Sequence, residues 1–128
     1  MPRANQSVQK SFHLCPKFYK TFTMLGKKWN GLIIEALICE GPLRFKNLSK
    51  IIKKCSDRVM VERLRELCQC GIIERKTFSD SALIEYSLTK KGLELKPIMK
   101  AVHQWSDKWC HCNSCCDDDK SKDNFFLI

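Results

Sequence analysis

Between residues 45 and 71 the chain carries two short apolar stripes at helical spacing, with only a tight polar connection between them. The first stripe is Phe45, Leu48 and Ile52; the second is Met60, Leu64 and Leu67. Residues three and four apart share one face of a helix, so each stripe makes an amphipathic helix too short to be stable alone in water. The connection "KKCS" has length for little except a sharp turn, and Ser56 at its end can cap the second helix through its hydroxyl. Gly71 follows the second stripe, where a residue that tolerates a left-handed conformation closes a helix. Two short helices joined in this way form a helix-turn-helix, with residues 56–70 as its recognition helix.

The flanking segments extend this unit. Upstream, Phe18, Phe22 and Leu25 recur at helical spacing after Pro16, which suits a first turn, and Gly26 ends the run. Trp29, Leu32, Ile33, Ala36 and Leu37 then predict one face of a second helix, with Trp29 as a core residue, stopped by Gly41 and Pro42. Downstream, "IIERKTF" and "LIEYSL" surround the polar break "SDSA" and predict a β-hairpin. Thr89 can cap the next helical turn, and Pro97 fits the first turn of a long last helix bearing Ile98, Val102, Trp105 and Trp109. Four helices, a hairpin and a last helix make a winged helix-turn-helix, a mainly α fold with a small β-hairpin.

Charge narrows the partner. The chain has 128 residues, one domain's worth, and a formal net charge of +9. The tail holds four carboxylates but only Lys120 and Lys122, so residues 1–109 carry 21 basic against 10 acidic side chains. A basic body with an acidic end suits a polyanionic partner. No apolar run approaches a membrane span, and "MPRANQSVQKSF" lacks an apolar signal region, so a cytoplasmic protein without membrane association is expected. Nine cysteines, an odd number, without such a signal do not read as an extracellular disulfide framework. No Ser/His/Asp set and no glycine-rich phosphate loop is present, so neither an enzyme nor a cofactor is expected. The anticipated organisation is a flexible arm over residues 1–12, the winged helix-turn-helix over 13–109, and a Cys-rich acidic tail over 110–128.

"CP" followed by "LGKKW", then "GPLRFKNL", "ERLREL", "GIIERK" and "EYSLTKKG", all in order, closely resemble the HxlR-type transcriptional regulators. These are small winged-helix relatives of the MarR group, and the resemblance runs from about Cys15 to Trp109. It implies a homodimer on a palindromic operator in double-stranded DNA, with the first and last helices forming the dimer contact. It also implies a role for Cys15, because several members sense oxidants or electrophiles through the matching cysteine. The expected function is therefore a sequence-specific, DNA-binding transcriptional regulator acting as a repressor. Two positions depart from the family: Asp57 stands where proline is frequent, and the wing "SDSAL" lacks the usual arginine.

The candidate DNA contacts rest on helix geometry. A helix in a major groove reads bases mainly with its first two turns, which puts Arg58 and Val61 near base edges and Ser56 and Arg65 toward phosphates. The alternative is a solvated face on which Arg65 pairs with Glu62 or Glu66. Asp57 is expected to cap its own helix, while Lys46 and Lys76 are candidate phosphate contacts.

Cys15, beside Pro16, falls near a helix N-cap, where a positive field lowers a thiol's pKa; the alternative is a small buried residue. Cys39 and Cys68 are expected as packing residues, with Cys55 in the turn before Ser56. In the tail, Cys110, Cys112, Cys115 and Cys116 suit a soft metal, a dithiol pair or an unstructured segment. All lie within seven residues, counting His111, which disfavours a rigid tetrahedral site. Two other functions stay open: a winged-helix protein-interaction module, and a metal- or redox-responsive regulator acting through the tail.

Overall fold

The computed structural model describes residues 11–110. In chain order these form α1 (Pro16–Leu25), α2 (Asn30–Glu40), β1 (Leu43–Arg44), α3 (Phe45–Ile51) and α4 (Asp57–Gln69). The hairpin strands β2 (Ile73–Phe78) and β3 (Ser81–Leu88), the short α5 (Lys90–Leu93) and the long α6 (Lys96–Trp109) complete the order. This is the winged helix-turn-helix that the two apolar stripes predict. Of the arm and the tail, only residues 11, 12 and 110 fall within the described part.

Local chemistry sets the element ends. Ser56 Oγ accepts the Val59 amide at 3.2 Å and starts α4. Its end is closed by two reversed bonds, Ile72 N to Leu67 O and Gly71 N to Cys68 O, with Gly71 at φ +77°. A side chain at that φ is strained, so glycine is the residue that fits. Thr89 Oγ1 accepts from Gly92 N at 3.1 Å and starts α5, and Pro97 occupies the first turn of α6.

The core lies between α2, α3 and α4 and is closed by the base of the sheet. Ile33, Ile34, Leu37, Leu48, Met60, Leu64, Leu67 and Ile73 are its most buried apolar members. Burying a side chain of this size contributes about 1.5–3 kcal/mol. The sheet order is β1-β3-β2, antiparallel throughout, with Ile73 opposite Leu88 and Leu43 opposite Tyr86.

Three details differ from the sequence expectation. Strand β1 is not foreseen, because two residues cannot display an alternating pattern. Ser81 and Ala82 belong to β3 rather than to the break, leaving residues 79–80 as a two-residue turn, with a register irregularity at Thr77 and Phe78. The buried face of α2 is also turned: Asn30 and Ile34 are buried and Leu32 is exposed. That helix, NGLIIEALICE, is apolar nearly all round, so its spacing does not single out a face. Trp29 is half-buried, packing against the core's edge in a left-handed conformation (φ +82°) just before the helix.

The terminal helices contrast with this core. Neither α1 nor α6 has a buried residue. Phe18, Phe22, Val102, Trp105 and Trp109 are each 55–61% exposed. Among the described residues no helix is long and apolar enough to cross a membrane.

Candidate nucleic-acid interface

With Met60, Leu64 and Leu67 turned into the core, α4 presents Arg58, Val61 and Arg65 outward, at i, i+3 and i+7 on one stripe. Val61 is 43% exposed, an apolar residue flanked by two exposed guanidinium groups. Such a stripe offers bidentate donors for guanine edges or phosphates and a methyl surface for a thymine methyl. The Ser56 hydroxyl oxygen is taken up by its cap, although the residue itself is exposed.

Two expectations about this helix are corrected. Asp57 is not the cap; its Oδ1 accepts the Ser49 hydroxyl at 2.8 Å, tying the start of α4 to α3. Its charge still lies in the first turn, where it complements the helix dipole. The glutamates that the solvated-face alternative pairs with Arg65 are instead held by Arg63, whose Nη1 lies 3.5 Å from Glu66 and 3.9 Å from Glu62. Arg65 has no ion pair among the described residues, so its charge remains available.

The wing tip has no basic residue, but its neighbourhood does. Arg44 and Lys46 line a surface groove with Ser81, Ala82, Leu83 and Ile84, which places two cations beside the start of β3, next to a turn whose one charge, Asp80, is negative. Arg44 is not anticipated as a site residue; its place beside the wing comes from β1, which pairing reveals and periodicity does not. Lys76 is exposed on β2 opposite Glu85, and Glu85 faces Arg44 across its other edge. That carboxylate tempers both cations.

The thiols separate by environment. Cys15 is exposed and forms the N-cap of α1. Cys39, expected to pack, is exposed: its thiol donates to Glu35 Oε2 at 3.3 Å, and that bond, more than any other cause, holds its pKa above the ordinary value. The same carboxylate oxygen pairs with His103 Nε2 at 2.5 Å, linking α6 to α2. Burial pushes the Cys55 and Cys68 thiols up as well. Cys55 is buried at the turn before Ser56, and Cys68 packs against the core as expected. Raised thiols form less thiolate, so these three are poor nucleophiles. Cys110 is exposed at the end of α6. Cys112, Cys115 and Cys116 lie outside the described residues, among which no group of three His, Cys, Asp or Glu is arranged to hold a metal.

Comparison with known proteins agrees with this geometry. The profile of the HxlR-like helix-turn-helix family matches residues 24–114. The chain is 38% identical over 109 residues to the HTH-type transcriptional regulator YodB of Bacillus subtilis, covering 84% of this chain and 96% of that protein. Among solved structures, quinone-bound YodB from B. subtilis is similar at TM-score 0.67 and 40% identity, covering 75% of this chain and all of the other. The redox regulator HypR in its reduced form is similar at TM-score 0.68 and 28% identity, covering 77% and 97%.

Proposed function

The chain belongs to the HxlR-like helix-turn-helix family and is a transcriptional regulator of helix-turn-helix type rather than an enzyme, and from that premise we propose that it acts as a cytoplasmic homodimeric repressor on a palindromic operator. The observation that carries the reading is the exposed Arg58–Val61–Arg65 stripe on a helix whose other side is locked into the core. In this reading Arg58 and Val61 meet base edges. Arg65 meets phosphates, aided by the exposed start of α4 at Ser56 and by Lys46, and Lys76 adds a weaker contact. The exposed apolar faces of α1 and α6 cover each other in a second copy of the chain, which sets two recognition helices about 34–36 Å apart.

Cys15 is the proposed input. It is exposed at the start of α1, one of the two dimer-forming helices, so a bulky adduct or an oxidised sulfur there alters how the copies meet. YodB has been solved bound to a quinone and after diamide treatment, and HypR in reduced and oxidised forms, which supports an electrophile or oxidant as the signal.

The test is a gel shift on DNA from the upstream region of its own gene, reduced and then treated with a quinone or diamide, for wild type and Cys15→Ser. Specific, salt-sensitive binding that oxidant abolishes in wild type alone is the expected result. Loss of binding in both proteins would move the sensor elsewhere. Absence of salt-sensitive binding would favour a protein-interaction module.

A further inference from the structure

The segment joining α1 to α2, residues 26–29, is pinned to the recognition helix. Arg63 Nε donates to the Lys28 carbonyl oxygen at 3.1 Å, and Lys27 Nζ lies 2.9 Å from Glu66 Oε2. Glu66 also receives Arg63 Nη1, so one carboxylate and one guanidinium hold two successive residues of the connection. Arg63 and Glu66 stand on the flank of α4, neither on its core face nor on the Arg58–Val61–Arg65 stripe. The Arg63 side chain is only 16% exposed, an unusual state for a charge and one that its three partners compensate.

The connection has little slack at its other side. Asn30 is buried, and its Nδ2 donates to the Met24 carbonyl oxygen at 2.9 Å, fastening the start of α2 to the last turn of α1. Gly26 N bonds Phe22 O at 2.8 Å, and a Cβ at Gly26 would come within 2.7 Å of that same oxygen. Trp29 holds the one left-handed conformation found at a non-glycine among the described residues, a state that persists only where surroundings enforce it. A rotation of α1 must therefore either carry α4 with it or break these bonds.

We propose that Arg63 is a positioning residue for operator recognition: it fixes the angle between α1 and the recognition helix, so that movement at the dimer contact reaches the DNA-reading face. The proposal rests on the dimeric DNA-binding reading above. It adds a specific conduit through Arg63, Glu66 and Lys27, none of which touches DNA in that reading.

The test compares affinity for the operator with affinity for the same operator lengthened by one base pair between its half-sites, in wild type, Arg63→Gln, Glu66→Gln and Lys27→Gln. One added base pair turns one half-site by about a tenth of a turn. A rigidly set pair of recognition helices loses on the order of tenfold in affinity on that change, the size of a mismatched base. The variants should narrow this ratio by about threefold or more, within the range for residues that carry coupling. The ratio is independent of the folded fraction and of the uniform effect of a changed charge, so a merely structural role does not move it. Lys27→Gln, at an exposed position, and Glu66→Gln, at a half-exposed one, keep the test alive if Arg63→Gln does not fold. An unchanged ratio in proteins that bind the operator overturns the clamp alone. No operator binding by wild type overturns the DNA reading, and the clamp with it.

Discussion

Helices α4 and α6 have 13 and 14 residues, and both carry an apolar stripe; yet α4 buries Met60, Leu64 and Leu67 while α6 buries none of its residues. The same contrast separates α2, with five buried positions, from α1, whose Phe18 and Phe22 meet in the open as a tilted ring pair with centroids 5.0 Å apart. An amphipathic pattern declares that a helix has a covering surface; it does not say whether that surface belongs to the same chain. Here the central helices are covered from within. The terminal ones leave Phe18, Phe22, Val102, Trp105 and Trp109 each more than half exposed.

Core and terminal faces should respond differently to substitution. Leu64→Ala removes a side chain at 1% exposure and should cost about 2–5 kcal/mol of unfolding free energy at any protein concentration, read by denaturant titration. Trp105→Asp should leave the helical circular dichroism near wild type but convert a sedimenting dimer to monomer, and remove the concentration dependence of the melting temperature. Equal, concentration-independent losses in both variants would erase the distinction. Within the recognition helix, Arg58→Ala should weaken operator binding by about 1–3 kcal/mol while leaving the melt unchanged. Ser56→Ala should do the reverse in part, lowering stability by about 1 kcal/mol through the lost cap.

The smallest effect is alkaline. Burial raises the Cys55 and Cys68 thiols in the folded state, so the unfolded chain releases those protons first. Their contribution is complete below the unfolded thiol range of about 8.5 and is lost as pH rises through the folded values. Stability should therefore decline modestly on that rise, and Cys55→Ala should flatten the slope. A stability that grows with pH over the same range would contradict the burial of both thiols.

Legibility in the sequence followed the same division. The faces of α3 and α4 were readable because polar residues interrupt their apolar ones at regular spacing, and the caps at Ser56, Gly71 and Thr89 were readable from side-chain chemistry alone. The face of α2 was not, since Leu32, Ile33, Ile34, Leu37 and Ile38 occupy too many directions at once. Cys15 at its N-cap was legible from Pro16 beside it. The backbone partner of Arg63 was hidden for a different reason: it is a carbonyl oxygen 35 positions away, and backbone acceptors leave no mark in a pattern of side chains. By spacing alone, Glu62 is as good a partner for Arg65 as Glu66 is for Arg63, each pair lying three positions apart.

The three tryptophans fall on both sides of this division, and that gives the chain a built-in optical signal. Trp29 is half-buried at the core's edge with Lys28 Nζ 4.9 Å from its ring, while Trp105 and Trp109 stand 61% and 60% exposed on α6. Two of three indoles thus emit from a watery setting in the isolated chain. Covering α6 shifts their emission to shorter wavelength, so the chain's own light reports whether that face is occupied, without a label and without DNA.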